Sequence, residues 1–194
     1  MMLKLLKYIS IVISLICSNV FGQTINRYGT TAANFLEIGV GSRATSMGDA
    51  YVAVANDVSS IYWNPAGLSN VSNSSALFMV QPWLVDIDML FAGGAVVVPN
   101  VGVLGLGITH LDYGEMDVTN LEYQDGTGER FGASDMAATF TFSRKIVSWF
   151  SFGSSMKYIS SNIWHSSASA FAVDLGVLVN TKFFSFTGND KDGM

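Results

Sequence analysis

Beyond position 17 this chain has no cysteine, because Cys17 is the only one in its 194 residues. Disulfide frameworks and zinc–thiolate modules are thereby excluded for everything that follows it. Charge is also scarce. Asp, Glu, Lys and Arg make up 13% of the chain, about half of what an ordinary soluble domain carries. Acidic residues outnumber basic ones by 15 to 10, for a net charge of −5, which argues against a nucleic-acid partner. His110 and His165 are the only histidines, and neither has metal-ligand spacing around it. No Ser-His-Asp set can be assembled, so no catalytic residue, metal or cofactor is expected and the chain reads as non-enzymatic. "GVGSRA" (39–44) shares two glycines with a dinucleotide fingerprint but lacks the third and follows no parallel-strand run.

Apolar residues and glycine fill the space that charge leaves, at 49% hydrophobic and 19 Gly. Part of this is N-terminal. "MMLKLLKYISIVISLICSNVFGQ" places Lys4 and Lys7 before an apolar run from Tyr8 to Cys17, with Val20 and Gly22 ahead of Gln23. That is the layout of a secretory signal peptide, 1–22, cleaved after Gly22. Ile16 is too bulky before Cys17 for a lipidation site. The remaining 194 − 22 = 172 residues carry 8 basic and 15 acidic side chains, a net of −7.

"MLFAGGAVVVPNVGVLGLGIT" (89–109) is uncharged and long enough for a membrane helix, but its content favours strands. Pro99-Asn100 forms a turn signal at its centre, five glycines would weaken a helix, and the arms are rich in Val and Ile. Downstream, Met136, Ala138, Phe140 and Phe142 alternate with Ala137, Thr139, Thr141 and Ser143. Phe150, Phe152, Met156 and Tyr158 do the same, as do Phe171, Val173, Leu175, Val177 and Val179. The period is two, with one face large and apolar and the other Ser, Thr, Ala and Gly.

A soluble sandwich would put charged residues on its outer face, whereas here the second face has hardly any. The pattern matches a barrel with large side chains toward lipid and a small, polar lumen. The fold expected is therefore all-β: the first part of a transmembrane antiparallel β-barrel, 71–194, with strands near 75–81, 88–98, 101–112, 133–143, 149–160 and 168–181. Six are too few to close a bacterial barrel, which suggests an N-terminal fragment. Connections 98–101 and 144–148 are expected to be short, 111–132 long and 160–167 intermediate. The long one is acidic, with Asp112, Glu115, Asp117, Glu122, Asp125 and Glu129 against Arg130. It reads as a solvated loop rather than a calcium site. Trp83, Trp149 and Trp164 fall near strand ends, as an aromatic belt would place them. Lys157 and Asp174 would face the lumen at similar height in a hairpin, and a shared desolvation cost predicts that they pair.

The densest motif lies upstream. "LEIGVGSRATSMGDAYVAVANDVSSIYWNPAGLS" (36–69) contains Gly41, Arg43, Ala44, Met47, Gly48, Ala50, Tyr51, Val52, Ala53, Val54, Ala55, Asp57, Tyr62, Trp63, Asn64, Pro65, Ala66, Gly67 and Leu68 in one order. This stretch closely resembles the signature of the PorV/PorQ family of outer-membrane barrels, relatives of the FadL-like transport barrels. Asp49 stands where that family more often has Gly. Weaker similarity continues in "THLDYGEMDVT" (109–119) and "ASAFAVDLGVLVN" (168–180). The resemblance implies a plug-like segment, 23–70, in which Tyr62-Trp63 anchor a folded plug and Asn64-Pro65 turn the chain toward the first strand. It implies an outer-membrane location, contact with outer-membrane lipid, and a role as partner of type IX secretion, binding a translocon or cargo protein. The alternative it carries is a FadL-like channel for hydrophobic small molecules.

Overall fold

A computed structural model describes residues 33–84 and 87–180. The signal-peptide reading with its cleavage after Gly22, the first ten residues of the plug-like segment (23–32), and the C-terminal stretch after Asn180 lie outside the described residues.

The fold is all-β in its main body. Six strands run β1 Ser75–Pro82, β2 Asp88–Val98, β3 Gly102–Asp117, β4 Arg130–Val147, β5 Phe150–Ile163 and β6 Ser166–Val179. They form one antiparallel sheet in sequence order, each strand paired with the next. Among the described residues β1 and β6 are the two edges, so the sheet is open. Among the described residues no helix is long and apolar enough to cross a membrane, a statement about helices alone.

Strand bounds differ from expectation chiefly at one end. β3 and β4 continue to Asp117 and back from Arg130, so the acidic connection shrinks to 118–129. Arg130 holds this extension together, bonding Glu115 at 2.7 Å and Asp117 at 3.3 Å across the strand pair. The expected intermediate loop 160–167 is instead a tight turn of Trp164-His165, closed by Ile163 opposite Ser166. Trp164 takes φ +50°, the left-handed region that such turns require and that a tryptophan seldom occupies. Nothing at the turn itself announces it, since Trp164 and His165 are neither Gly nor Asn, and Asn162 lies within β5. At the Pro99-Asn100 turn the usual chemistry holds: Asn100 adopts φ +65°.

The alternation of side chains gives the sheet two unlike faces. On one, Phe78, Leu106, Phe140, Met156, Phe171, Val173, Leu175 and Val177 are exposed. On the other, Thr109, Ala137, Thr139, Thr141, Ser143, Ser151 and Ser155 are buried. What buries them is the N-terminal segment 33–71, which lies over the small-residue face. It consists of short pieces: a 3-10 turn Asn34–Glu37, α1 Ser42–Ser46, α2 Ser60–Trp63 and a 3-10 turn Pro65–Asn70. None of these could be stable alone, since isolated helices this short do not form in water. Their order comes from packing. Phe35 and Val40 join Met89, Phe91, Leu111 and Ala137 in one cluster. Ile61, Leu68 and Val58 join Ala95 and Val103 in a second.

Candidate functional site: the seat of the Asn-Pro-Ala-Gly turn

The aromatic pair before the turn ties the N-terminal segment to itself. The Tyr62 hydroxyl donates toward the Leu36 and Ile38 carbonyls, 2.9 Å from the latter. The Trp63 indole N–H donates to the Val40 carbonyl at 2.7 Å. Two large rings thus hold the stretch 36–40 against α2, and they pack edge to face with centroids 5.2 Å apart. Burial, reinforced by the nearby Asp49 and Glu37 carboxylates, raises the Tyr62 phenol well above its ordinary value.

The residues after the pair tie the segment to the sheet. Asn64 caps the following 3-10 turn, its Oδ1 accepting from the Ala66 N–H at 3.0 Å. Pro65 occupies the first position of that turn, where its missing N–H costs nothing. The Asn64 amide nitrogen donates to the Val52 carbonyl at 3.0 Å and to the β6 carbonyl of Val177 at 3.3 Å. From β4 the Ser143 hydroxyl donates to the Ala66 carbonyl at 3.1 Å.

Pro65 and Ala66 come this close because the sheet beneath them has no side chains. Gly153 and Gly176 are cross-strand partners in β5 and β6. A Cβ on Gly153 would run into the backbone of Pro65 and Ala66, and one on Gly176 would meet Asn64 Oδ1 and, at 2.9 Å, the Pro65 ring. Gly105 does the same under Leu68 and Ile61. The glycines that weaken these strands as isolated elements form the surface on which the turn lies.

The remaining motif residues separate into two groups. Arg43, Tyr51 and Asp57 meet: Arg43 Nη1 lies 3.3 Å from Asp57 Oδ2, and the Tyr51 hydroxyl donates to the same oxygen at 3.1 Å. Asp57 Oδ1 also accepts from the Ser59 N–H at 2.9 Å, closing the turn before α2. Burial and the Asp57 charge raise the Tyr51 phenol. Met47, Gly48 and Ala50, by contrast, are exposed. Asp49 has φ +65°, which glycine takes freely and aspartate tolerates better than most residues. Gly67 is buried directly against the Ala55 carbonyl, leaving no room for a Cβ.

Lys157 and Asp174 lie on the covered face, diagonal to one another across β5 and β6, with Nζ 2.6 Å from Oδ2. The lysine side chain is 13% exposed and the aspartate 40%. With Tyr62, Trp63, Asn64 and Pro65 they line a cleft of about 410 Å³ at the edge of the seat. Among the described residues no group of three or more His, Cys, Asp or Glu is gathered to hold a metal ion. Gly153, Gly176 and Ser143 carry the seat, yet none stood out in sequence. The signal was there in the symmetry of Gly153 and Gly176 about Trp164-His165, visible only once the turn is placed.

The class defined by these features is an all-β protein with a one-sided, segment-covered antiparallel sheet. No family model matches the chain, and no curated protein matches it significantly.

Proposed function

We propose that the chain is part of an outer-membrane β-barrel of the PorV/PorQ kind, with segment 33–71 as a plug inside the wall. The observation that carries this reading is the exposed sheet face. On β6 alone Phe171, Val173 and Leu175 are 75%, 69% and 73% exposed. A contiguous apolar surface of this extent has no stable place in water and fits hydrocarbon. β3 to β6, at 14 to 18 residues, exceed the 9–11 that a tilted span requires. Of the connections, 99–101 and 148–149 are short at one end, while 83–87 and 118–129 are longer at the other, where Trp164-His165 is the tight exception.

Within that class the role is non-enzymatic partnership in type IX secretion, with a translocon or cargo protein bound at the outer face. A channel for hydrophobic small molecules fits less well, because the covered face presents Thr139, Thr141, Ser143, Ser151 and Ser155 with the Lys157–Asp174 pair. Affinity capture of the tagged gene product from outer membranes tests this. Recovery of a large translocon supports the reading, and recovery of bound lipid-like molecules without protein partners overturns it in favour of uptake.

A further inference from the structure

We infer that the β4–β5 turn, Arg144 to Trp149, seats in an anionic phospholipid headgroup layer. This rests on the reading of the sheet as a membrane wall. Three of the five described cations are engaged: Arg43 with Asp57, Arg130 with Glu115 and Asp117, and Lys157 with Asp174. Arg144 and Lys145 make no ion pair with any described carboxylate and are exposed. Both stand at the short-turn end of the sheet. Apart from Asp174, which is paired with Lys157, the described acids of the sheet and its loops, Asp88, Asp112, Glu115, Asp117, Glu122, Asp125, Glu129 and Asp135, gather at the opposite end.

Apolar side chains accompany the two cations. Ile146, Val147 and Trp149 are exposed at the same turn, and Trp149 packs beside Phe150 with centroids 5.8 Å apart. Val101 is exposed on the neighbouring turn. Arg144 lies opposite Phe152, which lies opposite Val177, so it closes the apolar face at its lower margin. A guanidinium there reaches phosphate while its stem stays among hydrocarbon. Unpaired positive charge, an interfacial tryptophan and aliphatic side chains inserted together are the chemistry that an anionic lipid surface recognises. The acid-rich end would be repelled by that same surface, so the pattern also sets the direction of insertion.

The test reconstitutes the gene product from Gln23 onward into vesicles of phosphatidylcholine, with and without phosphatidylglycerol. Membrane insertion is followed by flotation and by an environment-sensitive dye on Ile146→Cys, which introduces a single cysteine into a chain that has none beyond position 17. Partitioning should favour the anionic vesicles, and added salt should erode that preference. Arg144→Gln with Lys145→Gln should reduce it by about fivefold per side chain, while Arg130→Gln should leave it intact. Equal, salt-insensitive partitioning of the unaltered chain would overturn the inference. A dye at Leu175 separates the two levels of the argument. If that dye reports hydrocarbon while lipid charge has no effect, only the headgroup seat fails. If it reports water, the membrane wall fails as well.

Discussion

Gly153 and Gly176 face one another across β5 and β6, and the Pro65–Ala66 peptide lies on the bare backbone they expose. This contact joins the N-terminal segment to the far side of the sheet, about 90 residues later in the chain by the numbering of Pro65 and Gly153. It makes a sharp prediction. Gly153→Val should unseat the turn, at a cost of about 1–3 kcal/mol from overpacking. Limited proteolysis should then cut within 33–71 faster than in the unaltered chain, while the strands remain protected. Gly94→Ala is the control, since the nearest atom to a Cβ there is 4.0 Å away.

Lys157 and Asp174 should behave as a unit. Removing one charge leaves the other on the covered face without its counter-charge, so Lys157→Met alone should destabilise by about 1–2 kcal/mol. The figure is below that of a fully buried pair because the Asp174 side chain is 40% exposed and water screens it. Lys157→Met with Asp174→Leu should recover most of the loss. A double-mutant cycle on denaturant midpoints measures this, and additive single effects would refute the coupling.

The strands and the alternation of their faces were legible because a period of two needs no long-range information. The pairing of Lys157 with Asp174 followed from the same parity plus an approximate turn position. The turn itself was not legible, since Trp164-His165 contains no residue that favours its positive φ. Strand extension to Asp117 and Arg130 was hidden for a different reason. Acidic residues there suggested a solvated loop, and only the ladder shows Arg130 crossing to Glu115 and Asp117. At the seat, Asn64-Pro65 announced a turn, but nothing local tells which glycines lie beneath it.

Tyr62 supplies a pH dependence with a defined sign. Its phenol is raised in the folded chain, first by burial and then by Asp49 and Glu37, so the folded state favours the neutral form. That stabilisation is fully present below the ordinary phenol value near 10, and is lost as pH rises from there through the raised folded value. Denaturant midpoints should fall above about pH 10, the ordinary tyrosine value. Tyr62→Phe should lower stability at neutral pH by about 1 kcal/mol, the worth of its hydrogen bond, and flatten the alkaline decline. An unchanged alkaline slope in Tyr62→Phe would assign the decline to another group.

The exposed face of β6 gives the most direct physical test of the proposed environment. Val173 stands within the apolar row Phe171 to Val179, opposite Met156, with nothing in the described chain covering it. In water, replacing an exposed valine by arginine changes little, and it relieves an apolar patch. In hydrocarbon the same change is costly, about 2–4 kcal/mol near the bilayer midplane for an outward-facing strand position. Val173→Arg should therefore impair refolding into lipid vesicles while leaving the segment–sheet contacts beneath intact. Serine at position 167, on the same face but beyond the apolar row, supplies the comparison: Ser167→Arg should be tolerated. Folding yield in vesicles, read from protease protection, distinguishes the two. Equal tolerance of arginine at both sites would mean that this face does not meet lipid.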